Sequence, residues 1–236
     1  MNNAKIIFLY FFLLAGGMWH LLVMFQELMR LLAGPLLIGL AIWLLLEYLP
    51  GDEPKSERRS ARISLLQNWR RQSRLVLWFL LVVVLSFSVE WLGVQTGMIF
   101  GEYIYGDTLQ PLIFGIPLAI GFAWAGMILA SVAVVQRFHP GISGRGDGYF
   151  AFWVSLVMVL FDMAMEPAAI RLTYWTWAGG EVPLQNYLGW FVTSFILVLA
   201  GRWLQLLRKP LPALAFHAFW AQLGYFVLVI MAKSNS

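Results

Sequence analysis

The sequence predicts an all-α fold, a polytopic membrane helix bundle of about seven transmembrane helices, and three observations carry that prediction. The chain is 61% hydrophobic and only 12% charged, where soluble domains run near a quarter charged and half apolar. Its apolar residues gather into seven runs close to the roughly 20 residues that cross a bilayer at about 1.5 Å per residue. Its Lys and Arg residues fall almost wholly on alternate connections, as the positive-inside rule requires. We read residues 1–236 as one integral membrane domain, with a basic cytoplasmic loop at 50–74 and a motif-bearing core at 90–190.

The apolar runs are 6–25, 31–49, 75–92, 112–135, 149–165, 188–207 and 211–231. The first lacks a small-residue cleavage site and reads as a retained helix rather than a removed signal. Residues 50–74 form the long polar connection. Its basic second half has the spacing of a surface helix, with Ile63, Leu66 and Trp69 on one side, and equally that of a solvated loop. With the N-terminus inside, 13 of the 16 Lys and Arg residues face the cytoplasm, and only Arg30, Arg171 and Lys233 lie outside. That predicts an N-in, C-out protein of the bacterial cytoplasmic (inner) membrane. The +4 net charge is then a matter of topology, and nucleic acid is not an expected partner. The chain has no Cys, which excludes disulfides, thiolate metal sites and a cysteine nucleophile.

Between the third and fourth runs lies an irregular segment, 93–111, predicted on the outer side. The stretch 90–124 carries Glu90, Glu102 and Asp107 among six glycines and two prolines. Ionisable groups at membrane depth are costly and mark functional sites. Irregular backbone survives there only where protein or a watery cavity surrounds it. Asp162 and Glu166 lie four apart, on one face of the fifth helix, and Pro167 is expected to end that helix. Pro111 and Pro183 are expected to open the fourth and sixth helices. Glu90, Glu102, Asp107, Asp162 and Glu166 then converge at one depth, near the outer leaflet. A faint internal echo accompanies them: an acid, Tyr103-x-Tyr105, a turn and Pro111, against acids, Trp175-x-Trp177, a turn and Pro183. The sequence alone favours chance over duplication for this likeness of two loops, although both point the same way, as parallel repeats would.

Buried carboxylates beside aromatic rings can do acid chemistry on a lipidic molecule. A carboxylic acid in an apolar wall keeps its proton, because desolvation disfavours the charged form, and can donate it. A second, ionised carboxylate can orient water, and the faces of Tyr103, Tyr105, Trp124, Trp175 and Trp177 can stabilise a carbocation. The plainer alternative has the acids pairing with Arg171 or capping helices, and the aromatics forming an interfacial belt. A belt accounts for many of the 12 Trp residues, but not for five acids at one depth. His20, His139 and His217 sit on separate segments without metal-ligand spacing, so no metal is expected; His217 reads as hydrogen-bonded core. A retinal protein needs a mid-span lysine for its Schiff base, and none is present. Residues 141–146 read as a turn.

One pattern in this chain is E-x-x-G-x-x-T-G-x-x-F-G-x-Y-x-Y, followed by L-x-P-x-x-x-G-x-P and Trp, running from Glu90 to Trp124. A second is Asp162-x-x-x-Glu166-Pro167, then Tyr174-Trp175-x-Trp177, then Val182-Pro183-x-x-Asn186-Tyr187-x-Gly189-Trp190. Together they resemble the carotenoid-biosynthesis membrane proteins that include the carotenoid hydratases of the CruF type. The likeness spans Glu90 to about Trp190; the flanking helices match only as apolar spans. Where the pattern usually has Asp before the proline, this chain has Glu166, which keeps the carboxylate and lengthens its arm.

The resemblance implies addition of water across the terminal (ψ-end) double bond of an acyclic or monocyclic carotenoid, of the lycopene or γ-carotene type. It implies catalytic carboxylates among Asp162, Glu90, Glu166, Glu102 and Asp107. It also implies substrate contacts from Tyr103, Tyr105, Trp124, Tyr174, Trp175, Trp177 and Asn186. No cofactor is expected; the expected partners are the carotenoid, water, the lipid bilayer and other enzymes of carotenoid synthesis. Asp162, deepest in its helix, is the expected acid, and Glu90 or Glu166 the group that holds water. A carotenoid cyclase would begin with the same protonation and then exclude water. A non-catalytic carotenoid- or lipid-binding scaffold or transporter is the alternative of another class.

Overall fold

A computed structural model describes residues 2–49 and 58–232. Seven helices long and apolar enough to cross a membrane dominate those residues. They are α1 (Asn2–Leu21), α2 (Gln26–Tyr48), α3 (Arg58–Thr96), α4 (Leu118–Phe138), α5 (Asp147–Arg171), α6 (Leu184–Trp203) and α7 (Ala213–Met231). Four short strands lie between the helices: β1 (Tyr103–Tyr105), β2 (Leu112–Ile113), β3 (Ile116–Pro117) and β4 (Trp175–Trp177). The all-α membrane bundle read from the sequence is the observed fold.

Several boundaries differ from the sequence reading, each for a local reason. The basic second half of the expected loop is not a separate surface helix or a loop but the start of α3, which runs unbroken for 39 residues from Arg58. At about 1.5 Å per residue it is some 58 Å long, about twice the thickness of a hydrocarbon core. The remainder of the expected loop, residues 50–57, and Lys233 lie outside the described residues. Pro167 does not end α5, which continues to Arg171; packed neighbours let membrane helices absorb a proline. Pro111 does not open α4 either. It leads into a hairpin of β2 and β3, turned by Phe114 and Gly115 with φ of 52° and 81°, the two positive values that a type I′ turn requires. Pro117 then precedes α4, while Pro183 precedes α6 as expected. Glu90 stands inside α3, which ends only at Thr96.

The central element is α4, whose middle is buried on every side and which packs against α2, α3, α5 and α7. Around it, α1 lies on α7 and α5 on α6. Without a hydrophobic drive between helices in lipid, close backbone approach decides this packing. A Cβ on Gly121 would stand 2.6 Å from the carbonyl oxygen of Val83, and one on Gly126 3.2 Å from the Cβ of Ala41. At one end of the bundle the buried Arg202 donates to Asp147, Ser143 O and Leu207 O and lies 4.4 Å over the Phe150 ring. Arg208 joins Asp147, and Lys5 pairs with Glu47. Arg30 and Arg171 stand at the opposite end, the separation from which the topology was read.

Gly121→Ala is therefore expected to cost about 1–3 kcal/mol, as overpacking of a filled interface does. The readout is a lowered Tm in detergent, with Gly141→Ala, which meets open space, unchanged.

Candidate active site

The site is built from two chain segments of like design. In each, a transmembrane helix carries a glutamate shortly before its end. Glu90 precedes Gly97 by seven residues and Glu166 precedes Thr173 by seven, and both of these end residues turn left-handed, with φ of 65° and 55°. Such a residue stops a helix by turning the chain away. Each segment then supplies a three-residue strand and re-enters the bundle through a proline, Pro117 or Pro183. The strands β1 and β4 pair antiparallel: Tyr103 faces Trp177, Ile104 faces Thr176, Tyr105 faces Trp175. Antiparallel pairing centred on Ile104 and Thr176 relates the two segments by a local twofold. Trp124 and Trp190, each seven residues past its proline, meet there with stacked rings, 4.1 Å between centroids and 21° between planes.

Alternation along a strand sends successive side chains to opposite faces. Tyr103 and Tyr105 accordingly turn inward and donate to Glu90 Oε2, at 2.5 Å and 2.8 Å. Trp124 Nε1 donates to Glu90 Oε1 at 2.8 Å. The twofold-related carboxylate, Glu166, receives Trp175 Nε1 at 3.0 Å and Trp177 Nε1 at 3.2 Å, both on Oε2. One helical turn earlier sits Asp162. Asn186 Nδ2 donates to Asp162 Oδ2 at 2.7 Å and reaches Glu166 Oε1 at 3.4 Å. Asp162 Oδ1 is buried without a hydrogen-bond partner among the described residues. No Lys or Arg side chain bonds any of these three carboxylates among those residues; neutral O–H and N–H donors hold them all.

Glu90, Glu166, Asn186, Tyr103, Trp124 and Trp190 form part of the wall of an apolar cavity of about 620 Å³. Its remaining wall comes largely from α1 and α2, through Phe8, Phe12, Leu36 and Trp43 among others. Burial, and then the neighbouring Glu90 carboxylate, push the hydroxyls of Tyr103 and Tyr105 well above the usual tyrosine range. Burial does the same for Tyr174. All three remain protonated donors at any physiological pH.

Of the expected site residues, the structure gathers Glu90, Asp162, Glu166, Tyr103, Tyr105, Trp124, Tyr174, Trp175, Trp177 and Asn186. Two carboxylates do not join them. Glu102 is one position out of phase with Tyr103 and points to the exterior, as Ile104 does. Asp107 lies in the turn after β1, its side chain 74% exposed and paired with Arg30 at 2.9 Å. Asp162, expected to be the deepest of the acids, is fully buried and bonded by Asn186, but Glu166 rather than Asp162 lines the cavity. His217, expected as hydrogen-bonded core, is hydrogen-bonded but only half-buried, its Nδ1 3.2 Å from Tyr10 Oη. Sequence reasoning passed over Trp190 as a site residue. Its signal was the shared offset from Pro117 to Trp124 and from Pro183 to Trp190. The cavity wall from α1 and α2 carried no signal beyond being apolar.

Fold and site together define an integral membrane protein with a buried carboxylate cluster facing an apolar cavity. Residues 60–233 match the family of carotenoid biosynthesis proteins, and the chain belongs to that family. A curated relative, the bisanhydrobacterioruberin hydratase of Haloarcula japonica, is 27% identical over 118 residues. That match covers 48% of this chain and 40% of the relative, so the two correspond over less than half of either length. No solved structure matches the chain.

The raised tyrosines predict alkaline instability. A hydroxyl whose folded pKa exceeds the unfolded value of about 10 stabilises the fold fully below pH 10 or so, and loses that contribution as pH rises further. Each such tyrosine should subtract about 1.4 kcal/mol per pH unit above that point. Melting curves between about pH 8 and 11 should show the decline, and the Tyr103→Phe, Tyr105→Phe double variant should decline less steeply.

Proposed function

We propose that this protein is a carotenoid hydratase, adding water across the terminal ψ-end double bond of an acyclic or monocyclic carotenoid. The observation that carries this reading is the set of three buried carboxylates, held by neutral donors alone, beside an apolar cavity walled with indole rings. Acids that served only structure would be expected to pair with cations. Two of them, Glu90 and Glu166, open instead on a space suited to a hydrocarbon chain. The family and the name of the curated relative support the same reading.

In the proposed reaction Glu166, on the cavity wall, gives its proton to the less substituted carbon of the terminal isopropylidene group. Asp162, behind it and joined through Asn186, resupplies that proton. The tertiary cation so formed lies among the faces of Trp124, Trp190 and Trp177, whose negative quadrupoles favour it. A water molecule oriented by Glu90, across the local twofold, adds its oxygen to the cation, and the proton it releases passes to Glu90. Return of that proton to the Asp162–Glu166 pair closes the cycle, with one C–O and one C–H bond made for one C=C π bond and one O–H bond of water lost. The chemistry needs an acid, a base and an aromatic wall, and no cofactor. We place the protein as one unit in the cytoplasmic membrane of a bacterium, its Lys5 and Arg202 end inward by the positive-inside rule. Other enzymes of carotenoid synthesis would supply its substrate.

Expression in a lycopene-accumulating bacterial host should give a more polar pigment heavier by one water, or by two. A product of unchanged mass would identify a cyclase, and unchanged lycopene followed by unchanged γ-carotene would point to a binding protein. Asp162→Asn and Glu166→Gln should each lower turnover by about a hundredfold or more, the usual worth of a positioned general acid, without lowering the yield of folded protein. Glu90→Gln should separate the two half-reactions. In D2O its recovered substrate should carry deuterium at the end group, because protonation continues while water capture fails; substrate recovered from Glu166→Gln should carry none.

A further inference from the structure

Hydration consumes a polar substrate inside an apolar cavity, and the structure contains a second space that bears on its delivery. A polar vestibule of about 300 Å³ opens at the bundle end that carries Arg30 and Arg171. His20, Gln26, Arg30, Thr108, Arg171 and Thr173 line it. The Thr108 and Thr173 hydroxyls lie 3.0 Å apart, and Arg171 reaches Ala232 O at 2.6 Å. Four residues, Met29, Ala33, Tyr174 and Tyr225, line both this vestibule and the apolar cavity. The wall between the two spaces is thus one side chain thick.

Half of that wall, Tyr174 and Tyr225, carries hydroxyl groups. His20 Nε2 lies 3.1 Å from Tyr225 Oη, and Tyr225 in turn interacts through its hydroxyl with Tyr174. Tyr174 is followed directly by Trp175, a donor to Glu166. A chain of hydroxyl and imidazole groups therefore runs from the vestibule to Tyr174, which also lines the apolar cavity that Glu166 faces. Water in a protein interior needs two to four polar partners and room for its volume. The vestibule and this chain offer both, whereas the α1 and α2 wall of the cavity offers neither.

We propose that the vestibule is the water inlet of the site, admitting water from the aqueous face past Tyr174 and Tyr225 while the carotenoid occupies the apolar cavity. The proposal rests on the hydratase reading. It gives the two substrates separate routes, so that an extended hydrocarbon filling the cavity does not block the water that must follow it.

The absence of cysteine from the chain makes a direct test available. Single variants Ala33→Cys and Met29→Cys at the wall, Thr173→Cys in the vestibule and Val192→Cys on the exterior of α6 are placed in lipid nanodiscs. Each is treated with a charged, water-borne methanethiosulfonate reagent. Thr173→Cys and at least one wall variant should label at least tenfold faster than Val192→Cys. Labelling at the wall should then cut that variant's own hydration rate at least tenfold relative to the same protein before labelling. Two wall positions guard against one substitution that fails to fold. Wall cysteines that label no faster than Val192→Cys, or that label without loss of hydration, would overturn the inlet. Labelling needs no carotenoid, so it is read independently of the activity. Unmodified protein that makes no alcohol from either carotenoid would overturn the hydratase reading, and the inlet with it, whatever the labelling shows.

Discussion

Three residues of antiparallel backbone, Tyr103–Tyr105 against Trp175–Trp177, hold the site in register. Their side chains are the donors to the two glutamates, so the backbone pairing fixes where the O–H and N–H groups point. A slip of one residue in either strand would send its two rings to the opposite face, leaving Glu90 with Trp124 alone or Glu166 with Asn186 alone. The ladder is short, and two such strands have little stability of their own. Helix ends anchor it: the left-handed turns at Gly97 and Thr173 on one side, the prolines before α4 and α6 on the other. Glycines allow the strands to sit close. A Cβ on Gly106 would collide with the carbonyl of Thr173, and one on Gly101 would stand 2.6 Å from Pro183.

Satisfying a carboxylate with indole and phenol donors has a different consequence from satisfying it with arginine. An arginine partner would neutralise the charge and present a bidentate surface to solvent or substrate. Trp and Tyr donate one hydrogen bond each and turn the remainder of their bulk to the cavity as apolar, electron-rich surface. The side chains that hold Glu90 and Glu166 are thus the same ones that make the wall hospitable to a hydrocarbon and to positive charge developing on it. The cavity can be apolar almost to the carboxylate oxygens.

Much of this was legible in the sequence because membrane burial makes polar residues conspicuous. Glu90, Asp162 and Glu166 stood out against long apolar runs, and the two aromatic dipeptide patterns stood out beside them. Glu102 and Asp107 stood out equally and proved external, because depth along the chain carries no information about which strand face a side chain takes. The difference between Glu102 and Tyr103 is a single step of a period of two. Pro111 and Pro167 misled for a related reason: a proline marks a backbone that lacks a donor, and both a hairpin approach and a supported helix interior meet that condition. The echo between the two loops was visible, but its meaning was spatial. Only the pairing of β1 with β4 and the stacking of Trp124 on Trp190 show that the two segments build one site around a common axis.

The departures from that axis say more about chemistry than the agreement does. By the offsets that equate Glu90 with Glu166 and Pro117 with Pro183, the counterpart of Asp162 is Ser86 and the counterpart of Asn186 is Ile120. Ser86 donates its hydroxyl to the carbonyl of Val82 at 2.7 Å and reaches those of Val83 and Gly121 at 3.3 and 3.5 Å, and Ile120 is buried hydrocarbon. One half therefore keeps a single carboxylate locked by three donors. The other carries a linked pair, bridged by an amide, with one oxygen of Asp162 left unbonded. A scaffold that only bound a hydrocarbon would have no use for that difference, since two equivalent walls would serve. An acid on one side of a double bond and a water-orienting carboxylate on the other require it, because the two groups must perform opposite proton transfers. Buried polar groups left without partners are costly. Among the three carboxylates of the site that cost falls on one side of the twofold only, at Asp162, one helical turn before Glu166, the side to which the proposed reaction assigns the acid.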